Sequence, residues 1–378
     1  MKEQRSTKVV VFAHVPPPFH GQSYMIELLL DGLRTEAAKR VPLEIHHVDA
    51  RFSADASEIG SAGIRKVFRA IWYSLQAIAI RLRHKVDILY YVPAPARRAP
   101  LYRDWFVMAL CRPFFRKVVF HWHAVGLGEW LKGEATRPER LLTDLLMGQV
   151  ELSIVLSEFA RGDAAVLQPK RVVVIPNGVT DSCPHFEQRK HEPKASFTIL
   201  FLAACTRQKG LFATVDAAEL LQPWLTDVRV RLIVAGEFPD PTEHGQFIER
   251  VHETHTASIE YVGFADASAK ARLFNEADCL CFPSKYPHEA QPVSIIEALA
   301  YDLPVVATRW RGIPEMLDGT TSFLVDDQSP ESIADALRQA RDAQPHGRNR
   351  QRFLERFERT RFSERITAEL MNLTQRPQ

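Results

Sequence analysis

Cysteine is scarce, with five in 378 residues. That is too few for a disulfide scaffold, and the odd count fits a reducing compartment. Cys279 and Cys281 alternate inside the apolar run 278–282 and read as core thiols. No second pair lies at zinc-finger spacing, so a structural zinc site has no support. No run reaches 18 uninterrupted apolar residues, so no membrane-spanning helix is expected. After residues 1–8 the chain is apolar only over 9–13 before Pro16, Pro17 and Pro18 intervene, unlike an export signal. The expected location is the cytoplasm. An excess of one charge is also missing: 48 Lys and Arg face 46 Asp and Glu, a net +2. That balance excludes a polybasic nucleic-acid coat, an acidic solvating chain and a disordered polymer. No Gly-x-Ser-x-Gly elbow supports a serine triad. There is no Asp-x-Asp triplet, and no His/Asp/Glu cluster has an obvious metal-ligand spacing.

What is present is an ordinary globular composition, 46% hydrophobic and 10% aromatic, in a chain long enough for two domains. Short apolar runs at 9–13, 88–92, 118–122, 154–156 and 172–175 read as strands, followed by 198–203, 229–234, 259–262, 279–282 and 305–307. Most are continuous rather than alternating, as in strands buried on both faces of a parallel sheet. Helical periods at 23–33, 211–221, 269–277, 292–301 and 331–341 lie between them, so the chain reads as α/β with doubly wound sheets. The polar segment 181–196 carries Pro184 and Pro193 and separates two such series as a linker. The expected domains are 1–180 and 197–349, with a last helical stretch over 350–378.

The sharpest constellation runs from Pro283 to Ala300. A strand ends at Phe282, a turn carries Glu289, and a helix starts near Pro292, a residue favoured at a first helical position. The unpaired amides around Val293 and Ser294 make an anion site at the carboxyl end of a parallel strand. Glu289 above the helix start and Glu297 inside it suit hydroxyl recognition on either side of a diphosphate.

Glu289 and Glu297, with seven residues between them, resemble the E-x7-E motif of the retaining glycosyltransferases of family 4. Those enzymes have the GT-B fold. Leu303-Pro304-Val305-Val306-Ala307-Thr308 and Gly312-Ile313-Pro314-Glu315 match the continuation of that motif. Ile175-Pro176-Asn177-Gly178-Val179, Lys209-Gly210, Val234-Ala235-Gly236-Glu237 and Tyr261-Val262-Gly263-Phe264 are similar to further family elements in the same order. The resemblance implies two Rossmann-like domains facing across a cleft, with the C-terminal helix crossing back to the N-terminal domain. It implies a donor-holding domain at 197–349 and an acceptor-side domain at 1–180.

By that resemblance Glu289 touches the donor sugar's hydroxyls, and Glu297 binds the ribose. Lys209 neutralises the diphosphate as the leaving group forms, a role worth about 3–4 kcal/mol of transition-state stabilisation. Asn177, Gly236, Phe264, Gln291, Val293 and Ser294 join the donor set. Gly21 and Gln22 do so through the loop that also holds His20, where a proline-rich turn with a Ser cap is the plainer reading. His123 matches a family histidine close to the reacting centre, whereas His121 reads as a buried strand residue. Two departures stand out. The Arg that the family carries five residues before the Lys is Ala204 here, which makes Arg207 or Arg311 a candidate substitute. The family's Gly-Phe-Gly reads Ala290-Gln291-Pro292.

The implied activity is retaining transfer from a nucleotide diphosphate sugar to an acceptor hydroxyl, in envelope or exopolysaccharide synthesis. No cofactor or metal is expected, and the acceptor is a glycan or a lipid-linked glycan. The alternatives are a sugar-nucleotide-binding scaffold subunit and an epimerase of the same fold. No lysine is placed to hold pyridoxal phosphate for a phosphorylase. Finally, the segment 61–117 holds twelve Lys and Arg against Asp87 and Asp104, a net +10, so with +2 overall the remainder carries −8. Its apolar residues Ile64, Val67, Phe68, Ile71, Trp72, Leu75, Ile78, Ala79 and Leu82 are expected to face the core. Its basic face, with Trp72, Tyr102, Trp105, Phe106 and Phe114, also suits an anionic membrane surface at the inner leaflet. Nothing matches a nucleic-acid recognition module.

Overall fold

The computed structural model describes residues 6–17, 19, 21–39, 41–52, 64–186, 195–343 and 346–375. Pro18, His20, positions 61–63 and positions 187–194 of the expected linker lie outside them. The chain divides into two compact units, Met1–Gly178 with Arg359–Gln378, and Val179–Glu358.

In the first unit the strands are β1 (Thr7–Phe12), β2 (Leu43–Val48), β3 (Ile88–Tyr91), β4 (Lys117–His121), β5 (Leu152–Val155) and β6 (Val172–Val174). They form one parallel sheet in the order β2-β1-β3-β4-β5-β6. Between them run α1 (Gly21–Ala38), α2 (Ile64–His84), α3 (Arg98–Cys111), α4 (Leu127–Gly133), α5 (Arg137–Met147) and α6 (Arg161–Ala165). The second unit repeats the plan with β7 (Ser196–Leu202), β8 (Arg229–Ala235), β9 (Ser258–Gly263), β10 (Cys279–Phe282), β11 (Val305–Thr308) and β12 (Ser322–Val325). Its parallel order is β12-β11-β10-β7-β8-β9. Its helices are α7 (Leu211–Leu221), α8 (Pro241–His252), α9 (Ala267–Glu276), α10 (Val293–Ala300), α11 (Ile313–Met316), α12 (Pro330–Asp342) and α13 (Arg348–Arg356).

The apolar runs explain the strand order. Every residue of β3, β5, β10 and β11 is buried, as interior strands covered on both faces require. Edge strands β6 and β9 hold no fully buried residue. Two edge strands absent from the sequence expectation, β2 and β12, are also mostly half-buried, so neither needs a continuous apolar run. Cys279 and Cys281 lie buried in β10 and all five cysteines are free, with burial pushing the Cys281 thiol up to about 12. Such thiols stay protonated and inert.

The helical stretch expected from 350 is two helices. After α13, α14 (Arg359–Gln375) belongs to the first unit. Its buried residues Phe362, Ile366 and Leu370 recur every fourth position on one face. It lies so close to α1 that a Cβ at Gly32 would stand 2.0 Å from Ser363 Oγ.

Helix α2 corrects an expectation. Five of its large apolar residues point to solvent, with Val67 49%, Phe68 65%, Trp72 61%, Leu75 54% and Leu82 65% exposed, while Ile71 and Ile78 are half-buried. The inward face is instead Ala70, Ser74 and Ala77, all buried. Helix α2 packs on β1, β2 and α3, and small residues on that face let the backbones approach closely.

Candidate functional site

Strand order places the candidate site in the second unit. From β7 the chain winds outward through β8 and β9, then returns to the other side of β7 as β10. The loops leaving β7 and β10 therefore diverge from the topological switch point of the sheet, where open α/β sheets bind ligands beyond the strands' carboxyl ends. Lys209 lies on the first loop and Glu289 on the second, and they meet. Lys209 Nζ stands 2.6 Å from Glu289 Oε2. Both are largely buried, with side chains 18% and 8% exposed.

Local geometry fixes this pair. Gly210, φ +86°, caps α7 directly after Lys209, and a Cβ there would lie 2.5 Å from the Pro283 carbonyl oxygen. Only glycine fits that conformation and that approach. Lys285 N–H donates to Gln208 O at 2.8 Å, and Gln328 Nε2 donates to both Pro283 O at 2.6 Å and Gln208 O at 3.3 Å, which ties the two loops together. Ser284 Oγ donates to the same Glu289 oxygen at 2.7 Å. Trp310 Nε1 donates to Tyr286 O at 2.8 Å. Lys209 Nζ also sits 4.6 Å from the centre of the Tyr286 ring, a cation–π contact.

Beside this pair starts α10. Pro292, expected near the first helical position, is the N-cap instead (φ −61°, ψ 123°), and the helix begins at Val293. Its extended ψ places Pro292 outside the helix. The N-cap offers no side-chain hydrogen bond, so the first amides, Val293 and Ser294 among them, carry the helix dipole's positive end. Glu297, farther along α10, is buried and pairs with Lys270 of α9, whose Nζ stands 2.9 Å from Oε1 and 3.3 Å from Oε2. Burial raises the Glu297 carboxyl above its ordinary range, and the Lys270 charge opposes that shift.

The remaining residues of the second unit follow the same sheet end. Gly236, after β8, has φ +143° and leaves no room for a Cβ, which would stand 1.8 Å from Ala203 O. Phe264, after β9, is 51% exposed. Gln291 is buried in the loop before α10. Arg207 is directed elsewhere: its guanidinium donates to Gln246 Oε1 at 3.1 Å and covers the Phe212 ring at 4.2 Å. Arg311 adopts φ +50° and lies over the Trp310 ring at 4.9 Å.

Four candidates belong to the first unit. Gly21 and Gln22 open α1. Asn177 is buried after β6. His123 follows β4, its ring 4.2 Å from that of His121. His121 is a buried strand residue, with Tyr90 Oη 2.6 Å from Nδ1, and burial holds its pKa well below the ordinary value, so the ring is neutral. The sequence singled out neither Ser284 as the partner of Glu289 nor Lys270 as that of Glu297. Ser284 lies inside the Pro283–Ala300 constellation, whereas Lys270 is 27 residues from Glu297 in sequence and carries no local signal.

Residues 196–342, nearly all of the second unit's sheet and helices, match the family described as glycosyl transferases group 1. WcaL of Salmonella typhimurium, named for colanic acid biosynthesis, is 26% identical over 174 residues, 45% of this chain and 42% of that protein. The amylovoran biosynthesis glycosyltransferase AmsK of Erwinia amylovora is 28% identical over 152 residues, 39% of this chain and 35% of that protein. The chain thus spans about two fifths of the length of these curated relatives. Among solved structures, HepE from Anabaena, in complex with UDP and glucose, superposes with a TM-score of 0.66 at 16% identity. That match covers 97% of this chain and 99% of that one. Two parallel six-stranded sheets flanked by helices, and this likeness, establish the GT-B fold.

Proposed function

We propose that the chain is a retaining glycosyltransferase that moves a sugar from a nucleotide diphosphate sugar to an acceptor hydroxyl in polysaccharide assembly. The observation that carries this reading is the Lys209–Glu289 pair at the switch point of the second sheet, beside the start of α10. An incoming diphosphate competes with Glu289 for the Lys209 ammonium, and the α10 amides add the helix's positive end. Glu289, relieved of its cation, accepts hydrogen bonds from the donor sugar's hydroxyls. Glu297 serves the ribose, and the family resemblance assigns His123 a part in the transfer. The bond from the anomeric carbon to the diphosphate oxygen breaks as the acceptor oxygen bonds to the same face. The acceptor's proton passes to the departing phosphate oxygen. Lys209 and the helix terminus stabilise the charge that develops there, so the reaction runs without a metal ion. The matches to WcaL and AmsK and the UDP complex of HepE support a nucleotide sugar donor and a polysaccharide product.

The exposed face of α2 supports work at an anionic membrane surface, where a lipid-linked acceptor resides. Phe68, Trp72, Leu75 and Leu82 project outward from a helix whose last turn carries Arg81 and Arg83. A scaffold subunit is the second reading, favoured by Ala204 together with the engagement of Arg207 by Gln246 and Phe212. A panel of UDP- and GDP-sugars, scored for binding and for release of the nucleoside diphosphate, separates the two. Turnover of one donor supports the transferase. Tight binding without turnover in the presence of acceptor lipid supports the scaffold.

A further inference from the structure

Among the described residues, one group of histidine and carboxylate side chains is gathered closely enough to share an ion, at the sheet end opposite Gly21 and Gln22. Glu44 and His46 are two positions apart on β2 and so face the same side of the sheet. His84 ends α2, which packs on β2. Glu44 stands near the amino end of its strand, whereas Gly21 and Gln22 lie beyond the carboxyl end of β1.

We propose that Glu44, His46 and His84 form a site for a divalent transition-metal ion of the zinc class. His46 Nε2 stands 2.9 Å from Glu44 Oε1, and His84 Nδ1 stands 3.9 Å from the same oxygen. The two imidazole rings lie 4.3 Å apart, and a ligand atom from each of the three residues falls within 4.8 Å of the others. Around a tetrahedral ion with bonds of about 2.0–2.2 Å, neighbouring ligand atoms stand about 3.3–3.6 Å apart. The two distances to Glu44 bracket that range, so small side-chain rotations close the site. Two imidazole nitrogens and one carboxylate oxygen suit Zn2+, Co2+ or Ni2+; Mg2+ and Ca2+ require oxygen donors. A fourth position is left for water. Lys8 Nζ holds the other carboxylate oxygen, Oε2, at 2.8 Å. It leaves Oε1 to the ion but competes electrostatically with it. A bound ion ties edge strand β2 to the end of α2, the helix with the exposed apolar face.

The test uses the full chain without an affinity tag, treated with a chelator and titrated with Zn2+ by calorimetry and with Co2+ by visible absorption. The expected result is one equivalent bound at micromolar concentrations, tetrahedral Co2+ bands, and an upward shift of several degrees in the melting temperature by mass action. His84→Ala and Glu44→Gln each weaken binding about tenfold or more, Lys8→Met tightens it, and His244→Ala in the other unit leaves it unchanged. Should His84→Ala fail to fold, His84→Gln takes its place, and Co2+ band loss is the readout. No saturable binding below about 100 μM, or binding indifferent to both His84→Gln and Glu44→Gln, overturns the proposal.

Discussion

Replacing Lys270 by Met isolates the electrostatics of the buried Glu297. At 2.9 Å the pair interacts by about 6 kcal/mol in an effective dielectric near 20. Much of that offsets the desolvation of the two ions, and the Lys270 side chain is 29% exposed while that of Glu297 is 10%. Breaking a fully buried pair costs about 3–5 kcal/mol, so this partly open one should cost about 2–3 kcal/mol at neutral pH. The loss should also depend on pH. Burial already raises the Glu297 carboxyl, and removing Lys270 raises it further. A folded-state pKa above the unfolded one contributes stability below the unfolded carboxylate range and loses it as pH rises through the folded value. The variant should therefore approach wild-type stability near pH 5 and show its full deficit near pH 8. Lys270→Met/Glu297→Gln should recover most of the loss at pH 8. Urea unfolding read by peptide-level hydrogen exchange over 279–300 confines the measurement to the second unit. An equal loss at both pH values, or a loss below about 0.5 kcal/mol, would refute the reasoning.

Other perturbations follow from individual residues. Gly236→Ala sets a Cβ against the Ala203 carbonyl oxygen in a left-handed conformation and should cost more than about 3 kcal/mol in chemical denaturation. Gly245→Ala, on α8 with open space around it, should stabilise by about 0.5–1 kcal/mol in the same assay. Arg207→Ala should leave nucleotide-sugar affinity within about twofold by calorimetry, because Gln246 and Phe212 hold that guanidinium; a tenfold loss would restore it as the substitute for the arginine missing at 204. Phe68→Glu/Trp72→Glu should reduce flotation with anionic vesicles at least about tenfold while leaving unfolding midpoints near wild type, since both side chains are exposed.

The interior of each sheet was legible because strands such as 279–282 and 305–308 are buried on both faces and must be continuously apolar. The edges were not. Strand β2 carries Glu44, His46 and His47 on a half-buried ribbon, a pattern with no signature of its own. Helix α2 misled for a related reason. Its apolar spacing is helical, but periodicity alone does not say which face turns inward, and Ala70, Ser74 and Ala77 took the core. The candidate site was legible where its residues sit in one loop or follow a glycine, as Glu289 and Lys209-Gly210 do. Pairings that cross the fold, Lys270 with Glu297 or His84 with Glu44, depend on tertiary proximity and leave no trace in local spacing.

The most direct test of the donor role of the Lys209–Glu289 pair is single-turnover release of nucleoside diphosphate by wild type, Lys209→Met and Glu289→Gln with the donor that binds. The expected result is a product of retained anomeric configuration from wild type. The Lys209→Met rate should be lower by about 10²–10³, with donor affinity reduced far less, because the cation acts on charge that develops in the transition state. Glu289→Gln should fold normally and lose transfer. Wild-type turnover matched by both variants, or an inverted product, would contradict the account.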